Sequence, residues 1–498
     1  MRLFPQCMMQ ATLIFLCAMP VVNGQLPPAY KDSPEWPDRP AAQRAKDVLG
    51  LLNEGKSDQI RAYVGANLAP AFRDAFPLEQ HVGFVLQNHV TSHGFDFHGV
   101  RTYDPPRAPN EIVAILRNRL TESWVGLSVT VEPDAPYRIV GMQLTPARPP
   151  SDLPPPKALT ESEMLTQLAA YVDKLAKADA FSGTVLVAKN GKPLFSTAVG
   201  EANKGDHVPN KFETRFNLGS MNKMFTAVAI AQLVERGKLQ LTDPLSKFLG
   251  DEWLPRDTAD KIRIEHLLTH TSGLGSYFND QFMKSSRELY RSVNDYKPLI
   301  AAERPKFEPG SDWSYSNSGF MLLGAVIEKT SGQDYFDYIR ENVYQPAGMT
   351  RSDSFEMDAV VENLAIGYSQ ESTPTGTRWV NNLFKHVIKG GPAGGGFATA
   401  EDLLRFDQAL RSGKLVSPGL VEQLWSPRPA LHSQRYGYGF QLDGAPNDRI
   451  VGHSGGFPGI SSALEMYLDR GYTVVVLSNY DNAARLVSEK LRELLPKK

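Results

Sequence analysis

Cysteine is almost missing. The 498 residues hold two, Cys7 and Cys17, both ahead of residue 20. The rest of the chain therefore has neither a disulfide framework nor a thiolate metal site, and packing must hold it together. A basic excess is missing too: Lys and Arg total 53 against 55 Asp and Glu, so the electrostatic footprint of nucleic-acid binding is excluded. The apolar run from Ala11 to Val22 is shorter than the roughly 20 residues that span a bilayer. What remains is globular, with 42% hydrophobic and 22% charged residues, and long enough for two unequal domains or three smaller ones.

That apolar run follows Arg2, precedes any further charge before Lys31, and ends in Val22-Asn23-Gly24, with small residues at the −3 and −1 positions of a cleavage site. This is the pattern of a secretory signal over 1–24, the alternative being an uncleaved anchor. Cys17 is not read as a lipidation site, because Ile14-Phe15-Leu16 before it lacks small residues. An exported protein, periplasmic or secreted, is expected.

Residues 25–144 carry helix-like patterns from about 40 to 92, then alternation of period two at Leu127–Glu132 and again at Val140, Met142 and Leu144, which predicts half-buried strands. Helices followed by strands make a small α+β domain, similar to the cone-shaped domains related to nuclear transport factor 2. TPARPPSDLPPPKALT, residues 145–160, has six prolines and predicts a semi-rigid linker. Beyond it come a helix over 161–180 and strands at 183–189 and 193–199 joined by Asn190-Gly191, a strong hairpin signal. A strand over 472–477 and a helix over 482–495 end the chain, so 161–498 reads as one α+β domain closed by its terminal segments.

Within it, Phe216–Val234 is apolar nearly all round, with Gly237 as its C-terminal cap, and its one charge is Lys223. Desolvation disfavours an ammonium and lowers its pKa, and a neutral amine is a base. Ser220 stands one turn earlier on the same face, at a helix start whose free N–H groups could hold an oxyanion. Nucleophile and base together are what covalent hydrolysis needs. The structural alternative is an N-cap serine and a lysine that snorkels to the surface.

Ser220-Met221-Asn222-Lys223 resembles the Ser-x-x-Lys motif of the serine β-lactamase and penicillin-binding protein superfamily, in the branch of class C β-lactamases, D-alanyl-D-alanine carboxypeptidases and related esterases. The resemblance runs from about Leu159 to Leu495. It implies a β-lactamase/transpeptidase-like fold, an antiparallel sheet flanked by helices plus a helical subdomain, and a Ser220 acyl-enzyme with Lys223 as proton partner. The branch's Tyr-x-Asn motif is matched at Tyr277, Tyr315 and Tyr480; the phrase WSYSNSGFMLLGAVIEKTSG resembles the family only at Tyr315. That implies Tyr315 as proton relay and Asn317 as a donor to the substrate's amide, unless Asn317 merely caps a helix. His453-Ser454-Gly455-Gly456 is similar to the third motif, usually Lys-Thr-Gly. It implies an open strand edge at Gly455 and Gly456, an oxyanion pair of Ser220 and Gly456 amides, and His453 as a substrate-orienting group. Histidine, with an ordinary pKa near 6.5, is a poorer cation than lysine for a penicillin carboxylate, and His-x-Gly resembles the carboxypeptidase and esterase side. HLLTHTSGL (266–274) and GGPAGGGFATAEDLLRF (390–406) resemble stretches around the family's cleft, and Thr399 with Asp402 looks like a capping-box variant. No Ser-Asp-Asn motif matches, which argues against class A enzymes.

Three other readings compete. Gly452–Gly456 fits Gly-x-Ser-x-Gly, but no histidine follows His453 to complete that triad order. His81, His89, His93 and His98 cluster in sequence without a carboxylate pattern, so a surface or structural role is expected and no metal or organic cofactor. A non-catalytic sensor of cell-wall peptide or β-lactam would have no use for a buried lysine base. The expected partner is a small-molecule or peptide substrate; that of the N-terminal domain is unknown.

Overall fold

The computed structural model describes residues 28–154, 157–373 and 376–496; the expected signal, 1–24, lies outside the described residues. They form two compact units that divide between residues 155 and 156.

Among the described residues of the first unit, five strands, β1 (Ala29–Ser33), β2 (Phe95–Asp104), β3 (Glu111–Asn118), β4 (Trp124–Val131) and β5 (Ile139–Pro146), make an antiparallel sheet in that order. Three longer helices, α1 (Pro40–Glu54), α2 (Ser57–Asn67) and α3 (Leu78–Ser92), precede β2. α1 begins on proline, ends at Gly55 with φ 63°, and buries Ala41, Ala45, Val48 and Leu52 on one stripe. Ile112, Ala114, Leu116, Leu127, Val129 and Val131 supply the sheet's side of this core.

The alternation expected at Val140 fails. Thr130 pairs with Gly141 and Val131 with Ile139, so Val140 is the extra residue of a β-bulge and is 41% exposed. The bulge hands the inward face from Ile139 to Met142 and Leu144. The proline-rich segment, expected to be a semi-rigid linker, is fastened to this unit over its first part. Asp32 and Arg101 form a buried bidentate pair at 2.8 and 3.0 Å. Ser151 N–H donates to the same carboxylate (2.9 Å), and Arg101 donates to the Arg148 carbonyl (3.0 Å).

The second unit opens with α4 (Glu161–Lys177), whose capping box joins Thr160 and Glu163. Its main sheet has the order β8-β9-β10-β11-β6-β7, all neighbours antiparallel: β6 (Gly183–Lys189), β7 (Lys192–Val199), β8 (Gln441–Ala445), β9 (Asp448–Phe457), β10 (Ile460–Tyr467) and β11 (Tyr472–Ser478). Asn190 and Gly191, with φ 48° and 75°, turn the first hairpin as a type I′ turn requires. β11 sits between β10 and β6 and is buried along its whole length. Four more helices matter for the site: α5 (Asn222–Glu235), α6 (Asn317–Ser331), α7 (Ala400–Arg411) and α8 (Ala483–Leu494). α7 and α8 both pack on β11, while α5 and α6 pack together. α5 ends in a Schellman arrangement: Gly237 N–H donates to Val234 O (2.9 Å) and Lys238 N–H to Leu233 O (2.9 Å), with Gly237 at φ 66°. No helix among the described residues is long and apolar enough to cross a membrane.

Candidate active site

Ser220 lies in a short 3-10 turn, Gly219–Met221, that feeds straight into α5. The turn is pinned from three sides. Leu218 N–H donates to Gly396 O (2.7 Å), Gly395 N–H to Gly219 O (3.1 Å), and Ser462 Oγ to Leu218 O (2.7 Å). Gly219 has φ 50°, and a Cβ there would stand 2.9 Å from Gly456 N, so the turn tolerates only glycine. The same closeness puts the Gly456 amide beside the serine.

Lys223 follows one helical turn later with no exposed surface. Its Nζ lies 3.2 Å from Ser220 Oγ, 2.9 Å from Asn317 Oδ1 and 2.5 Å from the Ala393 carbonyl. Burial holds this amine well below the ordinary lysine value. A neutral amine has two N–H bonds and one lone pair. Two of its three neighbours, an amide oxygen and a carbonyl, can only accept. On its other side Asn317 Nδ2 donates to Ser276 Oγ (3.1 Å). In the neutral form both N–H bonds are thereby used, and the lone pair is left for the Ser220 hydroxyl proton.

The polar residues of this apolar helix share a second task. Asn222 donates to Gly391 O (3.2 Å), Thr226 to Pro392 O (2.8 Å) and Lys223 to Ala393 O, so three successive carbonyls of one loop are gripped by one helix face. Gly391 and Gly394 close that loop with reciprocal bonds of 2.8 and 3.0 Å. The loop leads to α7, where Thr399 accepts from Asp402 N–H (3.2 Å). Asp402 does not return the bond; its carboxylate takes Arg351 N–H (2.8 Å) and Ser352 Oγ (2.7 Å) instead.

Tyr315 and Asn317 arrive on the start of α6, whose N-cap is Ser316 (Oγ accepting from Gly319 N–H, 2.9 Å), so Asn317 is spared capping duty. Burial raises the Tyr315 hydroxyl above its ordinary value, and a hydrogen bond with Ser220 pulls the other way. The other two Tyr-x-Asn matches make no bond to Ser220 or Lys223 among the described residues. Tyr277 packs among Phe282 and Tyr296, Asn279 caps the helix Asp280–Lys284, and Tyr480 bonds Asp179 and Lys204.

His453 is 3% exposed, with Nδ1 against the Ser454 carbonyl (2.6 Å) and Nε2 against Tyr436 OH (2.8 Å). A carbonyl can only accept, so Nδ1 carries the proton. Burial first, then the nearby Lys223, pushes this ring down to about 3, which leaves it neutral. The side chain expected to orient substrate is thus a buried, uncharged support behind the strand. Gly455 is buried against Leu218 O, whereas a Cβ on Gly456 would meet nothing within 4 Å. Phe457, the next residue, stacks on the partly exposed Phe278 with ring centroids 5.6 Å apart.

Several contributors were not singled out as residues by the sequence, although His270 lies in the 266–274 stretch. His270 is fully buried in the left-handed region (φ 62°), accepts from Ser316 N–H (3.0 Å) on Nδ1, and stacks on Tyr315 (4.2 Å) and Tyr436 (4.5 Å). Burial drives its pKa far down as well. Glu303 accepts from Gly275 N–H (2.9 Å) and Ser318 Oγ, holding the loop that carries Ser276. The histidines of the first unit do not converge: His81 bonds Arg73 O, His89 bonds Leu52 O, and His98 pairs with Asp152. Among the described residues no group of three or more His, Cys, Asp or Glu could hold a metal.

The β-lactamase family model matches residues 168–495. Penicillin-binding protein 4* of Bacillus subtilis is 33% identical over 328 residues, covering 63% of this chain and 71% of that protein. The crystal structure of a penicillin-binding protein from Bacillus halodurans aligns over 65% of this chain and 99% of its own, with TM-score 0.59 and 32% identity. A D-stereospecific amidohydrolase from Streptomyces aligns over 67% and 98%, with TM-score 0.55 and 26% identity.

Proposed function

The chain belongs to the β-lactamase family, and from that premise we propose that it is a serine hydrolase that works through an acyl-enzyme on Ser220. The observation that carries the reading is the Lys223 amine, whose two N–H bonds go to Asn317 and Ala393 and whose lone pair remains for Ser220. As Ser220 Oγ bonds to the acyl carbon, its proton passes to Lys223 Nζ. The carbonyl oxygen becomes an oxyanion between the Ser220 and Gly456 amides. The carbon–nitrogen or carbon–oxygen bond to the leaving group then breaks, and the leaving atom takes a proton relayed through Tyr315. Water repeats the sequence in reverse and frees Ser220. Asn317, already held by Lys223 and Ser276, has its place at the substrate's amide. The chain's own residues supply every group these steps use, with no metal or organic cofactor.

The acyl donor is an ester, a D-amino-acid peptide or amide, or a β-lactam. Support for that class comes from the relatives, one a penicillin-binding protein and another a D-stereospecific amidohydrolase. The charge-free run before Lys31 supports export. One experiment tests these points. A fluorescent penicillin or activated ester should label the wild-type chain in the exported fraction, and Ser220→Ala should lose the label while keeping its melting temperature. Undiminished labelling of the variant would reject the assignment, and label confined to the cytosol would reject export. Binding of a D-Ala-terminated peptide without turnover of any donor would favour the sensor reading instead.

A further inference from the structure

The strand beside the nucleophile has one position already taken. Backbone groups of a strand point alternately to its two neighbours. Leu468 N–H donates to Arg449 O (3.0 Å), so the odd residues of β9 face β10 and the even ones face β8. Pairing with β8 stops at Gly452, opposite Gln441. Ser454 and Gly456 therefore form the open edge that runs past the site. Gly456 is unobstructed. Ser454 is not: its N–H donates to Gln441 Oε1 (3.1 Å), and its hydroxyl donates to the same oxygen (3.3 Å). The Gln441 Nε2 group takes no partner among the described residues and is free to donate.

The Ser454 end of this edge is the leaving-group end. His453 bonds Tyr436, and His270 stacks on both Tyr436 and Tyr315, so the proton relay lies on that side of Ser220. A leaving group lying there meets an amide whose carbonyl has already taken both Ser454 donors and whose N–H bonds face out. It meets no cation. His453 has both ring nitrogens engaged, and Arg435 and Arg492 are held by Asp443. Asp443 stands opposite Ile450, four residues or roughly 13 Å along the strand from Ser454.

We propose that Gln441 is a specificity residue that selects neutral, carbonyl-bearing leaving groups and disfavours donors whose leaving group ends in a free carboxylate. The proposal rests on the Ser220 acyl-enzyme reading and narrows it toward amide, ester or internal-peptide cleavage. The test uses the full chain with two matched donors, N-acetyl-D-alanyl-D-alanine and its C-terminal amide, which differ only in the charge of the leaving group. The amide form should be cleaved with kcat/KM roughly tenfold or more above the carboxylate form, the size expected when a charged acceptor lacks its donors. Gln441→Arg should move that ratio about tenfold toward the carboxylate, and Gln441→Glu should move it the other way. A variant that only folds less well lowers both rates and leaves the ratio in place, and an unmoved ratio overturns the proposal. Equal or faster cleavage of the carboxylate donor by the wild type, with Ser220 acylated, overturns it alone. Absence of Ser220 acylation by either donor while an activated ester still labels Ser220 overturns the proposal alone, and absence of labelling by all three overturns the hydrolase reading with it.

Discussion

Lys223 sits where an ordinary lysine would be a liability. Exposed, it would keep its proton to pH 10.5; burial lowers the folded-state value well below that. The unfolded chain therefore binds a proton that the folded chain refuses. This residue's contribution to stability is full above the unfolded value and is lost as pH falls toward the folded one. The catalytic consequence has the same sign. Single-turnover acylation of Ser220 should reach its plateau well below pH 10.5 and decline only on the acid side, as the buried amine takes up a proton. A rate that kept rising tenfold per pH unit up to 10.5 would mean an ordinary lysine. Ser220 and Lys223 were legible in the sequence because a single charge in a long apolar run has few physical explanations. Ala393 was not, since it acts through a carbonyl that any residue possesses. Nor was the neutrality of His453, which depends on Tyr436 and a backbone oxygen meeting it in space.

At the scale of elements, the site is three segments clamped on one turn: α5, the start of α6 and the free half of β9. Adjacent glycines in β9 face different surroundings. A Cβ on Gly455 would overlap the Leu218 carbonyl oxygen and stand 2.5 Å from Ser462 Oγ, whereas one on Gly456 meets open space. Gly455→Ala should push the nucleophile turn aside, destabilising the protein by about 1–3 kcal/mol and removing acylation. Gly456→Ala should melt within roughly 0.5 kcal/mol of wild type and act mainly by crowding bulky donors. Denaturation midpoints and labelling rates check the pair, and equal destabilisation by both would mean the turn does not rest on Gly455. Element types and most ends were readable from periodicity and caps, as with Asn190-Gly191 and Gly237. The failures have local causes. Val140 looked inward until a bulge added one residue, and Asp402 looked like a capping partner until a distant segment, Arg351-Ser352, claimed its carboxylate.

Among the described residues each unit has a hydrophobic core of its own. In the first, Arg101 and Asp32 are each 2% exposed in their side chains and depend on one another. Asp32→Ala should strand the guanidinium and cost the first unit about 3–5 kcal/mol. Hydrogen exchange read by mass spectrometry should then lose protection across β1 and β2; protection that stayed at the wild-type level would show the pair to be dispensable. A buried pair of this kind joins residues far apart in sequence, and pattern reading had no access to it. Strand order was equally hidden, because periodicity identifies a strand but not its neighbours.

That order carries one more consequence. Gly183–Lys189 takes Tyr472–Ser478 as its partner, so an early hairpin waits for a strand made almost three hundred residues later. Ser462, which braces the turn before the nucleophile, belongs to the same late stretch. Synthesised from the N-terminal side onward, the polypeptide keeps an exposed strand flank and an unbraced serine until residues 460–478 have been made. Distant pairing of this sort forms slowly and leaves edges open to aggregation meanwhile. Closing the sheet is thus also what braces the turn that carries Ser220.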